Sequence, residues 1–271
     1  METLLRTPAV AGSFYPQSGE ELRRVIDRWW RRVPPVEAGP PAALLVPHAG
    51  FEYSGETAAR GFALVRGAPF RRVVLLAPSH YDSFSFASVF YGQAYQTPLG
   101  LVPVDGGLCR TLARLAPVFK LSQRGHWPPR EHALEVQLPF LQLALERFEL
   151  VAVAVGDLDF GQIVQAGEAL ARLCAGGETL LVASSDLSHF HPRAAAEELD
   201  QATVRAIESG DVKGFIGGVD EGRLEACGAA PVAVAMSAAS GRRWRLLHYS
   251  NSGDVFGERG AVVGYAAMAV C

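Results

Sequence analysis

The sequence predicts an α/β protein, a three-layer αβα sandwich around a mixed, mostly parallel sheet. Three observations predict it. Short apolar, β-branched runs alternate along the chain with stretches of helical periodicity. Several of these runs are apolar on every residue, as strands covered on both faces are. Finally, 49% of the 271 residues are hydrophobic, enough to bury a sizeable core at this length. No internal repeat, low-complexity tract or linker divides the chain, so residues 1–271 read as a single domain.

Taken in order, Ser18 and Glu21 form a capping-box pair. Leu22, Val25, Ile26, Trp29 and Trp30 then follow at helical spacing, which makes the two tryptophans packing residues. The proline-rich stretch Val33 to Pro41 is a loop. Ala42 to Val46 reads as a buried strand and Gly55 to Val65 as a helix. Arg71 to Ala77 is the clearest strand. Phe84 to Phe90 and Leu101 to Val104 suggest a hairpin-like excursion. Pro128-Pro129 lead into an amphipathic helix over His132 to Arg147. Leu150 to Val155 is a strand, Phe160 to Cys174 a helix and Thr179 to Ala183 a strand. Pro192 to Ser209 and Ala229 to Ala239 are helical, with Pro231 tolerated in a first turn. Arg245 to Tyr249 and Val262 to Ala269 close the chain as strands, and this tail and the middle excursion are expected to add the antiparallel strands that make the sheet mixed.

Charge and cysteine usage exclude several classes. A net charge of −3 argues against nucleic acid or an anionic membrane as partner, since both need a basic surface. The longest apolar runs are strand-sized, so no membrane span is expected. The stretch Met1 to Ala11 carries Glu2 and lacks the apolar core of a secretion signal. A reducing, cytoplasmic setting is therefore expected, with Cys109, Cys174, Cys227 and Cys271 as thiols. Cys109 and Cys174 fall on helical patterns and read as core, and Cys271 as incidental. Neither G-x-G-x-x-G nor G-x-x-x-x-G-K-[ST] occurs in a strand-to-helix context, so neither NAD nor ATP is proposed.

The polar residues carry the functional signal. Ala43 to Val46 runs into Pro47-His48-Ala49-Gly50, and Val73 to Leu76 into Ala77-Pro78-Ser79-His80. Leu180 to Ala183 runs into Ser184-Ser185-Asp186-Leu187-Ser188-His189. Ligands of open α/β sheets bind beyond the carboxyl ends of the strands. If these strands are parallel neighbours, His48, His80, Asp186 and His189 share one rim. Cys227 precedes Gly228 at a predicted helix start, where a thiol's pKa falls and metal ligation becomes easier. Glu131 and His132 open a helix after the proline pair, where a carboxylate favours the dipole.

The ordered motifs resemble the Memo family, a fold relative of the LigB-type, class III non-haem iron dioxygenases. They are Ala9-Val10-Ala11-Gly12-Ser13-Phe14-Tyr15-Pro16, Val46-Pro47-His48-Ala49-Gly50 with Tyr53-Ser54-Gly55, and Ala77-Pro78-Ser79-His80. Glu131-His132-Ala133-Leu134-Glu135-Val136-Gln137-Leu138-Pro139-Phe140, Ser184 to His189, Cys227-Gly228 and Tyr265-Ala266-Ala267 complete the set. The resemblance implies a LigB-dioxygenase-like fold with metal ligands His48, His80 and Cys227. It implies catalytic or supporting positions for Asp186 and His189. Glu131, His132, Ser79 and Ser185 are expected to support the cleft. Fe(II) or Cu(I) is the metal it implies, with Zn(II) the simplest alternative, and a redox or oxygen-related reaction. A thiolate where the dioxygenases use a carboxylate speaks against ring cleavage. Functional links to radical-SAM and AMMECR1-type proteins are also implied.

Two other readings belong beside this one. Ser184, Ser185, Asp186 and His189 include the residue types of a metal-independent hydrolase, although no G-x-S-x-G elbow is present. Alternatively the fold serves as a peptide-binding scaffold, as animal Memo-like proteins are linked to phosphopeptides. Trp127, Phe51 and Tyr81 would then line the cleft that holds the small molecule or peptide partner.

Overall fold

The computed structural model describes residues 4–34, 39–127, 129–257 and 260–270. Its first half runs β1 (Leu5–Arg6), α1 (Gly19–Trp30), β2 (Ala43–Val46), α2 (Phe51–Ala63) and β3 (Arg72–Pro78). β4 (Ala87–Val89), β5 (Ala94–Thr97), β6 (Gly100–Pro103), α3 (Gly106–Leu115) and β7 (Phe119–Leu121) follow. A 3-10 turn (Glu135–Gln137) then leads into α4 (Leu138–Ala144), β8 (Glu149–Val155), α5 (Phe160–Cys174) and β9 (Thr179–Ser184). The chain closes with β10 (His189–His191), α6 (Arg193–Ser209), α7 (Val212–Asp220), α8 (Ala229–Ala238), β11 (Trp244–Asn251), α9 (Gly253–Phe256) and β12 (Val262–Val270). The expected Val33 to Pro41 loop lies partly, and Pro128 and Cys271 wholly, outside the described residues.

The main sheet has the order β10-β12-β2-β9-β3-β8-β4-β7, with β11 also pairing β12. Its centre, β2-β9-β3-β8, is parallel. The flanks make the sheet mixed, through the tail and the middle excursion as expected. β12 is antiparallel to β2, to β10 and to β11, and β4 is antiparallel to β8. Of these pairs β11 and β12 are joined by a connection too short for the right-handed crossover that parallel pairing needs. A small separate sheet, β1-β5-β6, contains a β5-β6 hairpin; of the two runs expected to form the excursion, Leu101 to Val104 supplies β6, whereas Phe84 to Phe90 supplies β4 of the main sheet.

The period-two alternation of the central strands assigns their side chains to two cores. Leu44, Val46, Val73, Leu75, Ala77, Leu150 and Ala152 face the layer of α1, α2 and α4. Ala43, Leu45, Val74, Leu76, Val151 and Val153 face the layer of α3, α5 and α8. Burial on both faces explains why these strands carry no polar alternation. Trp29 stacks near Phe140, and the Trp30 indole donates to Ala59 O, so both pack.

The expected helix over His132 to Arg147 is shorter. Glu131 turns back and accepts the amides of His132 and Ala133, and Pro139 sits in the first turn of α4. Glu135, one turn before α4, is drawn into the N-terminal segment. Its carboxylate accepts Ala9 N at 2.6 Å, Val10 N at 3.0 Å and Tyr15 Oη at 2.6 Å. This carboxylate holds the Ala9 to Pro16 motif against the sheet, and Phe14 consequently lies 4.4 Å, ring to ring, from His132.

Candidate metal centre

β2, β9 and β3 are adjacent and parallel, so the predicted polar clusters do share one rim. His48 follows β2, His80 follows β3, and Asp186 and His189 follow β9. Cys227 arrives from the loop before α8. A reciprocal exchange holds it to the β9 loop: Cys227 N donates to Asp186 O, and Asp186 N donates to Cys227 Sγ, both at 3.2 Å. Gly228 makes this approach possible. A Cβ there would lie 2.6 Å from Ser184 O, a distance that side chains do not reach, so the Cys-Gly pair is a matter of space rather than backbone conformation.

Hydrogen-bond accounting fixes the histidine tautomers. Ser184 has one hydroxyl hydrogen, which it donates to Ala133 O at 2.8 Å. Gln137 Nε2 donates to the same Ser184 oxygen. The 2.9 Å contact of His48 Nδ1 with Ser184 Oγ must then use a ring N–H. That leaves His48 Nε2 a bare lone pair, 3.2 Å from Cys227 Sγ. His80 Nδ1 lies 3.2 Å from Glu131 Oε1 and donates to it. His132 Nδ1 donates to Arg130 O and His189 Nδ1 to Leu187 O, each at 2.9 Å. In all four rings Nδ1 is committed and Nε2 is left as the ligand or proton-handling atom, the orientation that partners behind a metal ligand impose.

Donor atoms of His48, His80 and Cys227 lie within 4.8 Å of one another. So do those of His80, Glu131 and His132, and those of Asp186, His189 and Cys227. Burial and neighbouring imidazoles push the His48 pKa well below its ordinary value, so the ring is neutral. Burial likewise lowers His132. Burial pushes the Glu131 carboxyl up, but the His80 ring and the backbone amides outweigh it and hold it below the usual range. Asp186 is raised to about 6 by burial, although His48 N and Ala49 N donate to its Oδ1.

Several expectations need correction. Burial and the nearby Asp186 push the Cys227 thiol up, not down. The start of α8, two residues later, does not outweigh this burial. Ser79 is spent on a turn, donating to Asp82 O at 2.7 Å. Ser185 is buried, donates to Asp186 O and accepts from Gly228 N, so it positions the Cys227 loop. Neither serine hydroxyl of the Ser184-Ser185 pair is free to act as a nucleophile. Phe51 is core, against Tyr15 and Phe140. Trp127 and Tyr81 line a different depression, with Asp82, Pro129 and Arg130.

The cleft beside the centre has a volume of about 560 Å3 and is walled by Phe14, Tyr53, His132, His189, Phe190 and Tyr265, with Asp186 below. Sequence reading missed Glu135 and Gln137 as supports and Phe190 and Glu225 as wall and brace. For the first two a signal exists: polar residues at 131, 135 and 137 interrupt an apolar stretch that a simple amphipathic helix would not interrupt there. Glu225 accepts His189 N and pairs with His191 Nε2 at 2.7 Å.

A mixed α/β sheet with clustered imidazole, carboxylate and thiol donors at its carboxyl rim defines the class: an α/β protein with a candidate metal centre. Residues 6–269 match the model of the Memo-like protein family. The chain is 35% identical to a MEMO1 family protein of Methanopyrus kandleri, covering 97% of this chain and 98% of that one. It is 34% identical to a MEMO1 family protein of Aquifex aeolicus, covering 97% and 98%. An uncharacterized protein of Escherichia coli K12, known from its crystal structure, shares the fold with a TM-score of 0.57. At 17% identity, over 84% of this chain and 98% of that one, it speaks for fold alone. This chain belongs to the Memo family.

Proposed function

We propose that His48, His80 and Cys227 hold a transition-metal ion, Fe(II) or Cu(I), in a site for redox chemistry. One observation carries the reading: three donor atoms from distant parts of the chain converge within 4.8 Å, and the His48 Nε2 lone pair faces Cys227 Sγ. Two imidazoles and a sulfur suit Fe(II), Cu(I) or Zn(II), and leave coordination positions open. Such an ion, when bound, would supply one-electron chemistry or a Lewis-acid centre and would draw the proton from the Cys227 thiol.

The chain's own residues supply the rest. Glu131 orients His80 and sets a negative charge behind its ring, while Ser184 and Gln137 orient His48. Asp186 fixes the main chain of His48 and Ala49. His189 lines the cleft with Nε2 uncommitted and serves as the proton donor or acceptor for a bound molecule, a task suited to an imidazole. A sulfur in place of a carboxylate speaks against ring cleavage as the reaction.

The test is metal content of protein purified without oxygen. Wild type is expected to carry about one iron or copper per chain, and Cys227→Ala or His80→Ala at least about tenfold less. Equal metal in wild type and Cys227→Ala would remove the sulfur from the ligand set and with it this reading.

A further inference from the structure

Phe190 is anomalous in two independent ways. Its φ is 62°, the only positive φ at a non-glycine position among the described residues. The residue is 74% exposed, more than any other large hydrophobic residue described. A left-handed backbone and a solvated aromatic ring each cost free energy for a residue of this kind. Folding does not account for either. The strain is imposed rather than accidental, because Glu225 fixes both neighbours, accepting His189 N at 2.8 Å and pairing with His191 Nε2. The register of β10 against β12 shifts between those same two residues, so the strand bulges at Phe190. Bulges of this sort re-aim a side chain.

The side chain is aimed at the cleft. Phe190 lines it together with Phe14, Tyr53 and Tyr265, and its ring lies 5.7 Å from that of His189. We infer that Phe190 is a ligand-contact residue, held in strain so that its ring closes the mouth of the cleft over a planar apolar group. The bound molecule would place that group among the four aromatic rings and turn a polar end toward His189 and His132. An aromatic wall of this kind offers large contact area and edge or face packing at little cost in side-chain freedom. The inference rests on the reading of the cleft as a ligand site, but it does not need the metal.

The probe is 2-naphthol, followed by its fluorescence, with 2-naphthyl phosphate as a matched phosphorylated form. Saturable binding of 2-naphthol to wild type is expected, at least about tenfold weaker for Phe190→Gly and Phe190→Ala, and restored by Phe190→Trp. Removing the ring should not lower the urea midpoint, and Phe190→Gly should raise it, because glycine adopts this φ freely. No saturable binding to wild type, unchanged affinity in Phe190→Gly, or a lowered midpoint in both small variants would overturn the assignment. Tighter binding of the phosphate than of the alcohol would also overturn it, in favour of a phosphorylated ligand. Metal content separates this inference from the preceding one. Naphthol binding that depends on Phe190 in Cys227→Ala protein lacking metal leaves the inference standing whatever becomes of the redox site.

Discussion

At the scale of single residues, the centre is organised by what stands behind each imidazole. Glu131 is the clearest case. It is buried, accepts a hydrogen bond from the His80 Nδ1–H, and accepts backbone amides of His80, His132 and Ala133. Glu131→Gln keeps the shape and the amide contacts on one oxygen but removes the negative charge behind the His80 ring. Metal affinity is expected to fall about 10–100-fold with little change in fold, as for other carboxylates behind metal-binding histidines. Competition against a metal chelator measures it, and an affinity equal to wild type would deny Glu131 this part. The Glu131-His132 pair and His80 were legible as rim residues from position in the chain. Their division of labour was not, because it depends on which ring nitrogen meets which acceptor.

At the scale of elements, the 3-10 turn before α4 works as a clamp between the N-terminal segment and the sheet. Glu135 receives two backbone amides and the Tyr15 hydroxyl, and Arg6 Nη2 lies 3.8 Å away. Glu135→Ala would leave these donors buried and unpaired. A loss of about 3 kcal/mol is expected, read as a shift in the urea midpoint. Phe14 should become more mobile over His132 at the same time. A loss below about 0.5 kcal/mol would show that the segment is held by apolar contacts instead. β12 shows a second element-level constraint: a Cβ at Gly264 would meet Asp200 Oδ2 at 1.8 Å. Asp200 in turn accepts Ser188 N and the Tyr249 hydroxyl, which fixes the loop between β9 and β10.

For the whole molecule, pH sensitivity follows from buried neutral histidines. His126 lies away from the candidate centre, where its Nε2–H donates to Ser88 O at 2.9 Å and its Nδ1 accepts from Tyr95 Oη at 2.8 Å. Its backbone carbonyl accepts from Arg6 Nε. Burial lowers its pKa to about 4, against an unfolded value near 6.5. Between these values the unfolded state binds more protons, so stability is complete above about pH 6.5 and is lost as pH falls toward about 4. The lowered His48 and His132 act in the same direction, whereas the raised Asp186 opposes them in the acidic range. From pH 7 to 4.5 the His126 share is up to about 2.5 kcal/mol. Wild type is expected to lose that much more than His126→Gln over this interval. Parallel pH profiles for the two proteins would contradict the assignment. No described helix is long and apolar enough to cross a membrane.

The sequence by itself determined the central strands, since apolar runs and helical periodicity are local properties that survive without a fold, but not the short β1, β5, β7 and β10. It also placed His48, His80, Asp186 and His189 at strand ends, and the ordered motifs carried the family. Tertiary structure alone decided what those residues meet. Cys227 and His48 are 179 positions apart in the chain, and no local pattern encodes a contact of that separation. The direction of the Cys227 shift, the retreat of Phe51 into the core and the strained backbone of Phe190 share this cause. Each depends on burial and on partners supplied by remote segments, and these exist only once the sheet has assembled.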